Sequence, residues 1–311
     1  MNRQAVMVKG LHKWYGTFHA VRGVDFTAQQ GEIVAILGPN GAGKTTILEI
    51  LEGYRRQSRG SVSVLGFDPG EGGSEFRARI GIVLQTSGMY EELTVLEALS
   101  LFAGYYPRPR KPKEAVELVG LEQKAGIRVK ALSGGERRRL DFALGIIGNP
   151  ELIFLDEPTT GFDPEARRKF WRVIKDFASL GKTILLTTHY MEEAQVLADC
   201  VLVLAEGHIV AEGDVTSLIA RLAPSAVVSF RVPEAAVLAS LPPEIRDLLE
   251  VRNNEVRIKT REPEVMVDAL TAWSRRRDEM LEALQVIRPS LEDVYLELVG
   301  GRSNSDEVKS P

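Results

Sequence analysis

The sequence predicts an α/β fold: a largely parallel sheet with a helical insertion, followed by a small α+β domain. Three observations carry this. Short apolar runs, Gly31 to Leu37, Arg79 to Leu84, Glu151 to Leu155, Thr183 to Thr187 and Cys200 to Ala205, alternate with longer amphipathic stretches, as parallel strands and their crossover helices do. Between 85 and 151 the pattern is mostly helical, including Thr94 to Ala103 and Glu136 to Ile147, broken by a Pro/Arg-rich turn at Pro107 to Pro112. After Ala223, Pro224 and Ser225 the segments shorten to Val227–Val232 and Glu255–Lys259, then a helix from Pro263 to Trp273. The expected division is residues 1–223, a small domain over 224–300, and a polar, aperiodic tail over 301–311 expected to be disordered. No long-period repeat is visible, so the larger unit occurs once.

Composition narrows the function. The 311 residues are 44% hydrophobic and 26% charged, enough for one large core and a smaller one. The formal net charge of -4 lacks the basic excess of a nucleic-acid binder. Arginine clusters at Arg137 to Arg139, Arg167 to Lys169 and Arg275 to Arg277 have acidic residues interleaved and read as solvated helix faces. No nucleic-acid partner is expected. The single cysteine, Cys200, cannot make an intrachain disulfide, which fits a reducing cytosol. The start, Met1-Asn2-Arg3-Gln4, has no continuous apolar segment of signal-peptide length, and no stretch reaches the ~18 to 20 apolar residues that span a bilayer. Any service to a membrane is expected from its surface.

The sharpest feature is Gly38-Pro39-Asn40-Gly41-Ala42-Gly43-Lys44-Thr45-Thr46, a phosphate loop between an apolar strand and a helical pattern. Its glycines let successive N–H groups face inward, and the helix N-terminus adds favourable potential for phosphate oxygens. Lys44 supplies a point charge at the β- and γ-phosphates, and the Thr45 hydroxyl is placed for Mg²⁺. A chance glycine turn would not set glycines, lysine and hydroxyl at this spacing. A second site follows at Leu152-Ile153-Phe154-Leu155-Asp156-Glu157-Pro158, an apolar strand ending in two carboxylates. Alone this is an ordinary surfacing loop; beside a phosphate loop, Asp156 becomes a Mg²⁺ holder and Glu157 the general base that orients the attacking water.

Between the two sites, Leu132-Ser133-Gly134-Gly135-Glu136 opens an arginine-rich helix. Ser133 and Glu136 make a good helix cap, and exposed N–H groups there also suit a phosphate. This run resembles the signature sequence of the ABC ATPases. Other matches fall in that family's order: Tyr15 in Lys13-Trp14-Tyr15-Gly16, Gln85, Asp163 in Gly161-Phe162-Asp163-Pro164, and His189 in Leu186-Thr187-Thr188-His189. The resemblance covers about Val6 to Gly213. It departs at Glu136, where the family usually has glutamine, and at Phe162, where it usually has leucine.

The resemblance implies a P-loop NTPase fold, RecA-like with a helical insertion and an antiparallel edge region. It implies that Tyr15 stacks on adenine, that Gln85 joins Mg²⁺ or the attacking water and reports on the membrane partner, and that His189 contacts the γ-phosphate. Ser133, Gly134 and Gly135 would bind the γ-phosphate of ATP held by a second subunit, with Asp163 across the same interface. The implied assembly is a head-to-tail pair, most simply a homodimer, on the cytoplasmic face of a membrane. A separate permease would dock near Gln85 and Tyr90-Glu91-Glu92. The run Arg288 to Leu298 resembles the C-terminal helix of daunorubicin-resistance-type exporter ATPases. It also reads as a helix capped by Ser290 and Asp293 with Leu291, Val294, Tyr295 and Leu298 on one face. With Leu51-Glu52-Gly53-Tyr54-Arg55-Arg56 and Glu136-Arg137-Arg138-Arg139-Leu140-Asp141, it favours export of a drug, antibiotic or lipid-like molecule. The rivals are an importer ATPase and a soluble ABC ATPase acting on ribosomes or DNA; the latter branches usually carry two cassettes, a long coiled coil or zinc-binding cysteines.

Overall fold

The computed structural model describes residues 3–83, 88, 90–222, 225–232, 238, 240–252, 255–277, 279–296 and 298. The chain divides into two units, Met1–Val215 and Thr216–Pro311. The sequence boundary at 223/224 falls at the far end of a helix, Val215–Leu222, whose start marks this division. The expected tail over 301–311 lies outside the described residues.

The first unit opens with a long hairpin, β1 (Gln4–Tyr15) and β2 (Phe18–Gln29), joined later by β4 (Arg59–Val64) in an antiparallel sheet of order β2-β1-β4. This is the antiparallel edge region. β3 (Ile33–Leu37) leads into α1 (Lys44–Leu51); α2 (Ser74–Arg79) and β5 (Ile80–Val83) follow. The insertion supplies α3 (Val95–Ala103), α4 (Pro112–Leu118) and α5 (Gly134–Ile146). The chain then alternates through β6 (Leu152–Asp156), α6 (Pro164–Ala178), β7 (Thr183–Thr188) and α7 (Met191–Leu197), ending on the hairpin β8 (Cys200–Ala205) and β9 (His208–Gly213).

Among the described residues these strands form one sheet of order β5-β6-β7-β3-β8-β9, parallel except for the last pair. Helices cover such a sheet on both faces, so its strands carry apolar side chains to both sides. All of β3, β6 and β7 is buried for that reason. In a parallel sheet, ligands gather beyond the carboxyl ends of the strands. Here the register brings Leu37 beside Thr188, and Asp156 beside Thr187, at that edge.

Helix α6 buries Phe170, Trp171, Ile174 and Phe177, one face of a 3.6-residue period. Phe142 of α5 meets Phe170 and Phe177 edge-on at ring-centroid distances of 5.5 and 5.7 Å, with no exposed surface. Phe142→Ala is expected to lower unfolding free energy by about 3 to 5 kcal/mol, because the surrounding rings cannot collapse into the space. Urea denaturation followed by tryptophan fluorescence measures it; a loss below about 1 kcal/mol would mean the site repacks.

The second unit opens one residue into α8 (Val215–Leu222). Its sheet, of order β11-β12-β10-β13, is antiparallel and uses β10 (Ala226–Arg231), β11 (Leu249–Arg252), β12 (Glu255–Thr260) and β13 (Glu282–Ile287). The short helix α9 (Pro243–Arg246) and α10 (Pro263–Arg277) accompany it. Val228, Phe230, Val256, Ile258, Leu270 and Trp273 form its core. α10 runs past Trp273 through Arg275, Arg276 and Arg277, cations that favour a helix C-terminus. Residues 291–296 are helical; Ser290 N donates to Asp293 at 2.7 Å, and Leu291 and Val294 are fully buried.

Candidate functional site

The loop leaving β3 is shaped by contacts that only glycine permits. Gly41 and Gly43 have φ of +82° and +105°, and a Cβ on Gly43 would stand 2.7 Å from the Ala20 carbonyl oxygen. A Cβ on Gly38 would stand 2.4 Å from the Leu204 carbonyl oxygen. Around this curl, Lys44 is 4% exposed, and its Nζ donates to the carbonyls of Gly38 at 2.9 Å and Pro39 at 3.0 Å. Above it lies a cavity of about 400 Å³ lined by Tyr15, Phe18, Ala20, Asn40, Gly41, Gly43, Lys44, Thr45, Thr46 and Glu157. Tyr15, 38% exposed at the hairpin end, offers its ring there, with Lys13 and Arg55 5.3 and 5.5 Å from its centroid.

The acidic end of β6 meets the loop from below. The Thr45 hydroxyl lies 3.3 and 3.4 Å from the Asp156 carboxylate oxygens, and the Thr187 hydroxyl donates to the same carboxylate. A hydroxyl and a carboxylate converging at this spacing are hard oxygen donors of the kind Mg²⁺ takes, with water filling its other positions. Glu157 has φ of 43°, a left-handed conformation that costs a non-glycine residue about 1 to 3 kcal/mol. Its N–H donates to the Thr187 carbonyl at 3.2 Å and to the Thr187 hydroxyl at 3.0 Å. Its carboxylate lies 3.3 Å from Lys44 Nζ and 3.3 Å from His189 Nδ1. The His189 contact has ion-pair distance without hydrogen-bond alignment. Burial pushes the Glu157 carboxyl up, but Lys44 and His189 together hold it below the usual carboxylate range. It is therefore ionised at neutral pH and competent to accept a proton.

The signature segment sits elsewhere. Ser133 caps α5: its hydroxyl accepts from Glu136 N at 3.3 Å, and the Glu136 carboxylate accepts from Ser133 N at 2.9 Å. That backbone bond, helped by Lys124 at 3.2 Å, keeps the Glu136 carboxyl low. Asp163 caps α6 by accepting from Glu165 N at 3.0 Å and Ala166 N at 2.9 Å. A Cβ on Gly135 would meet the Ala166 Cβ at 3.8 Å, so the two helix starts are neighbours. Ser133, Gly134 and Asp163 are exposed, and none of them lines the Lys44 cavity.

Comparison with known proteins matches this geometry to a family. A family model described as ABC transporter matches residues 21–160. Another, described as ABC transporter domain-containing protein-like, C-terminal domain, matches 226–290. Nod factor export ATP-binding protein I of Rhizobium sp. (strain N33) is 38% identical over 305 residues, 96% of this chain and 98% of its own length. The protein of the same name from Rhizobium johnstonii is 39% identical over 302 residues, 95% of each chain. The chain belongs to the ABC transporter ATP-binding subunits. Solved relatives agree: an ATP-binding subunit of an ABC transporter superposes with a TM-score of 0.62 at 28% identity, covering 69% of this chain and 91% of its own. A dimeric ATP-binding cassette bound to ADP and Pi superposes with a TM-score of 0.61 at 26% identity, covering 67% and 98%.

This ABC ATPase binds and hydrolyses ATP, as its family does. Its sequence-predicted residues fall into two sets. Tyr15, the 38–46 loop, Asp156, Glu157 and His189 come together around one cavity, while Ser133, Gly134, Gly135 and Asp163 lie outside its lining, at two neighbouring helix starts. Gln85, expected beside Mg²⁺, lies outside the described residues. Sequence reasoning missed Thr187, a hydroxyl inside a buried strand that serves both Asp156 and Glu157. It also misplaced Arg138: this residue is 7% exposed, not part of a solvated face, because its guanidinium is spent on backbone carbonyls of the Asp156–Pro158 segment. Arg137 and Arg139 beside it reach outward, to Glu91 and to the Val119 and Gly120 carbonyls. No described helix is long and apolar enough to cross a membrane.

Proposed function

We propose that this ABC ATPase works as a head-to-tail pair of chains that powers export through a separate integral membrane permease, bound at the cytoplasmic face of the membrane. The observation that carries the pairing is the separation of the two residue sets. The Lys44 cavity holds a base and cations but is open to solvent, and the helix start at Ser133 and Gly134, which lies outside that cavity, is exposed as a helix N-terminus suited to a phosphate. A second copy turned end for end supplies the missing wall. In this reading Tyr15 stacks on adenine and Lys44 holds the β- and γ-phosphate oxygens. Ser133, Gly134 and Gly135 of the second copy donate to the γ-phosphate, with Asp163 beside them. Glu157 orients a water and accepts its proton as the oxygen attacks the γ-phosphorus and the bond to the β-phosphate oxygen breaks. His189 steadies the Glu157 carboxylate and the γ-phosphate. Thr45 and Asp156 would hold Mg²⁺, with Gln85 joining them, and the ion's chemistry there is neutralisation of charge on the departing phosphates.

A groove of about 530 Å³ where α1 ends, lined by Phe76, Ile82, Val83, Phe102 and Leu144 with Tyr54 and Tyr106, supports docking of a permease helix there. The names of the export relatives support the direction of transport, and a drug, antibiotic or lipid-like cargo is the class proposed. Residues 1–223 are proposed as the cassette, 224–300 as an accessory domain and 301–311 as a tail, supported by the two compact units and the separate C-terminal family model. Purification of the tagged chain from detergent-solubilised native membranes tests the assignment. A stoichiometric multi-span membrane protein is the expected companion. A permease arriving with a substrate-binding protein would mean import, and ribosomes or DNA in its place would mean a soluble role.

A further inference from the structure

Arg138 is the one arginine of the 137–139 run that turns inward, and it lands on the segment that carries the base. Its Nε donates to the Pro158 carbonyl at 3.0 Å and its Nη2 to the Asp156 carbonyl at 3.1 Å, so one guanidinium bridges the residues on either side of Glu157. Asp141, one turn on along α5, lies 4.0 Å from Nη1 and adds charge to the same site. The bridged residue is in the left-handed region, with φ of 43°, where a side chain other than glycine stays only if its surroundings hold it. Thr187 holds the Glu157 N–H. Arg138 holds the carbonyls on both flanks.

The origin of Arg138 matters as much as its target. It stands five residues after Ser133 on a continuous helix capped by that serine. Hydrogen-bonded helices act as rigid elements that carry coupling, so a displacement of the N-terminal end would carry Arg138, little more than one turn on, with it. We propose that Arg138 is a positioning residue for ATP hydrolysis: it fixes the backbone around Glu157 so that the carboxylate stays between Lys44 and His189, and it ties that carboxylate to the helix that begins at Ser133. The proposal rests on Glu157 as the base. Arg138 itself touches no part of the cavity and acts only through Glu157. Engagement of the Ser133 end with nucleotide on a second copy is then felt by the base in the same chain, through five residues of helix and two hydrogen bonds.

The test uses the full chain and Arg138→Lys, which keeps the positive charge but loses the planar fork that serves two carbonyls at once. Displacing a reacting group by about 1 Å costs on the order of 10²-fold, so kcat is expected to fall about 10- to 100-fold while KM for ATP stays within about twofold. Amide hydrogen exchange at Glu157 should rise as its left-handed turn loosens. In a Glu157→Gln background the same substitution should lower the residual phosphate release by less than about twofold, because there is no carboxylate left to place. A general packing role would instead lower both backgrounds equally and overturn the proposal, as would an Arg138→Lys protein with near-parental kcat. Arg138→Gln, smaller and with a two-donor amide, carries the same measurements should the lysine variant not fold. Near-parental turnover in Glu157→Gln alone would overturn the reading of the base and this proposal with it; an inactive Glu157→Gln beside a fully active Arg138→Lys would overturn only the role of Arg138.

Discussion

Glu157→Gln is expected to bind ATP and Mg²⁺ as well as the parent chain and to hydrolyse ATP on the order of 10²- to 10⁴-fold more slowly, the usual cost of losing a positioned general base. The substitution keeps the shape of the side chain, and glutamine occupies a left-handed backbone no worse than glutamate does. Lys44 keeps its bonds to Gly38 and Pro39, and Thr45 and Asp156 stay in place, so the nucleotide site still assembles. What disappears is the anion that sits 3.3 Å from both Lys44 and His189. Removing a negative charge near the γ-phosphate also lowers repulsion in the ATP-bound pair. The variant should therefore accumulate as an ATP-bound dimer that the parent forms only transiently. Size-exclusion chromatography with ATP and Mg²⁺, beside a phosphate-release assay, reads both halves. Near-parental turnover would take Glu157 out of the catalytic role, and lost ATP binding would make it a structural residue.

The parts of this site that the sequence shows are those whose chemistry dictates residue type. Gly38 and Gly43 must be glycine because backbone oxygens of Leu204 and Ala20 occupy the space of a Cβ, and that demand is written as a spaced run. The capping boxes at Ser133 and Ser290 are equally local, each closed within four residues. Arg138 is different. Nothing in Arg137-Arg138-Arg139 tells which guanidinium faces inward, because the choice is made by the position of the 156–158 segment, far along the chain. Thr187 is hidden in the same way: a threonine suits a strand on propensity alone, and its hydroxyl's contacts come from Asp156 at the end of β6 and Glu157 just after it. The core strands announce themselves as unbroken apolar runs. β1 and β2 do not, because register shifts at Val8/Leu11 and Lys13/Trp14 break the alternation that a sequence scan counts. β13 exposes nearly all of its side chains, and Glu250 and Val251 of β11 are exposed, so neither strand leaves an apolar signature.

Ser133→Arg and Lys44→Ala are expected to silence the enzyme for opposite reasons, and mixing them separates the reasons. Lys44 is buried with its charge shared among two carbonyls and the Glu157 carboxylate. Truncating it removes the cation that faces the phosphates and leaves those acceptors unpaired. Loss of one member of such a buried, charged set costs about 2 to 5 kcal/mol, so ATP affinity of the single chain should fall roughly 30- to 5,000-fold. Ser133 lies outside that cavity and is exposed. Arginine there forfeits the cap on α5, worth about 1 kcal/mol, and leaves the Lys44 loop untouched. Single-chain affinity for a fluorescent ATP analogue should stay near the parental value, while turnover collapses because the bulky side chain blocks the face that closes over nucleotide on the partner. Combining the two inactive proteins then makes mixed pairs in which the Ser133→Arg chain brings an intact Lys44 loop and the Lys44→Ala chain an intact Ser133 cap. That one composite site should restore turnover that neither protein shows alone. Equal loss of nucleotide affinity in both single variants, with no recovery on mixing, would place Ser133 and Lys44 in one chain's site and end the head-to-tail reading.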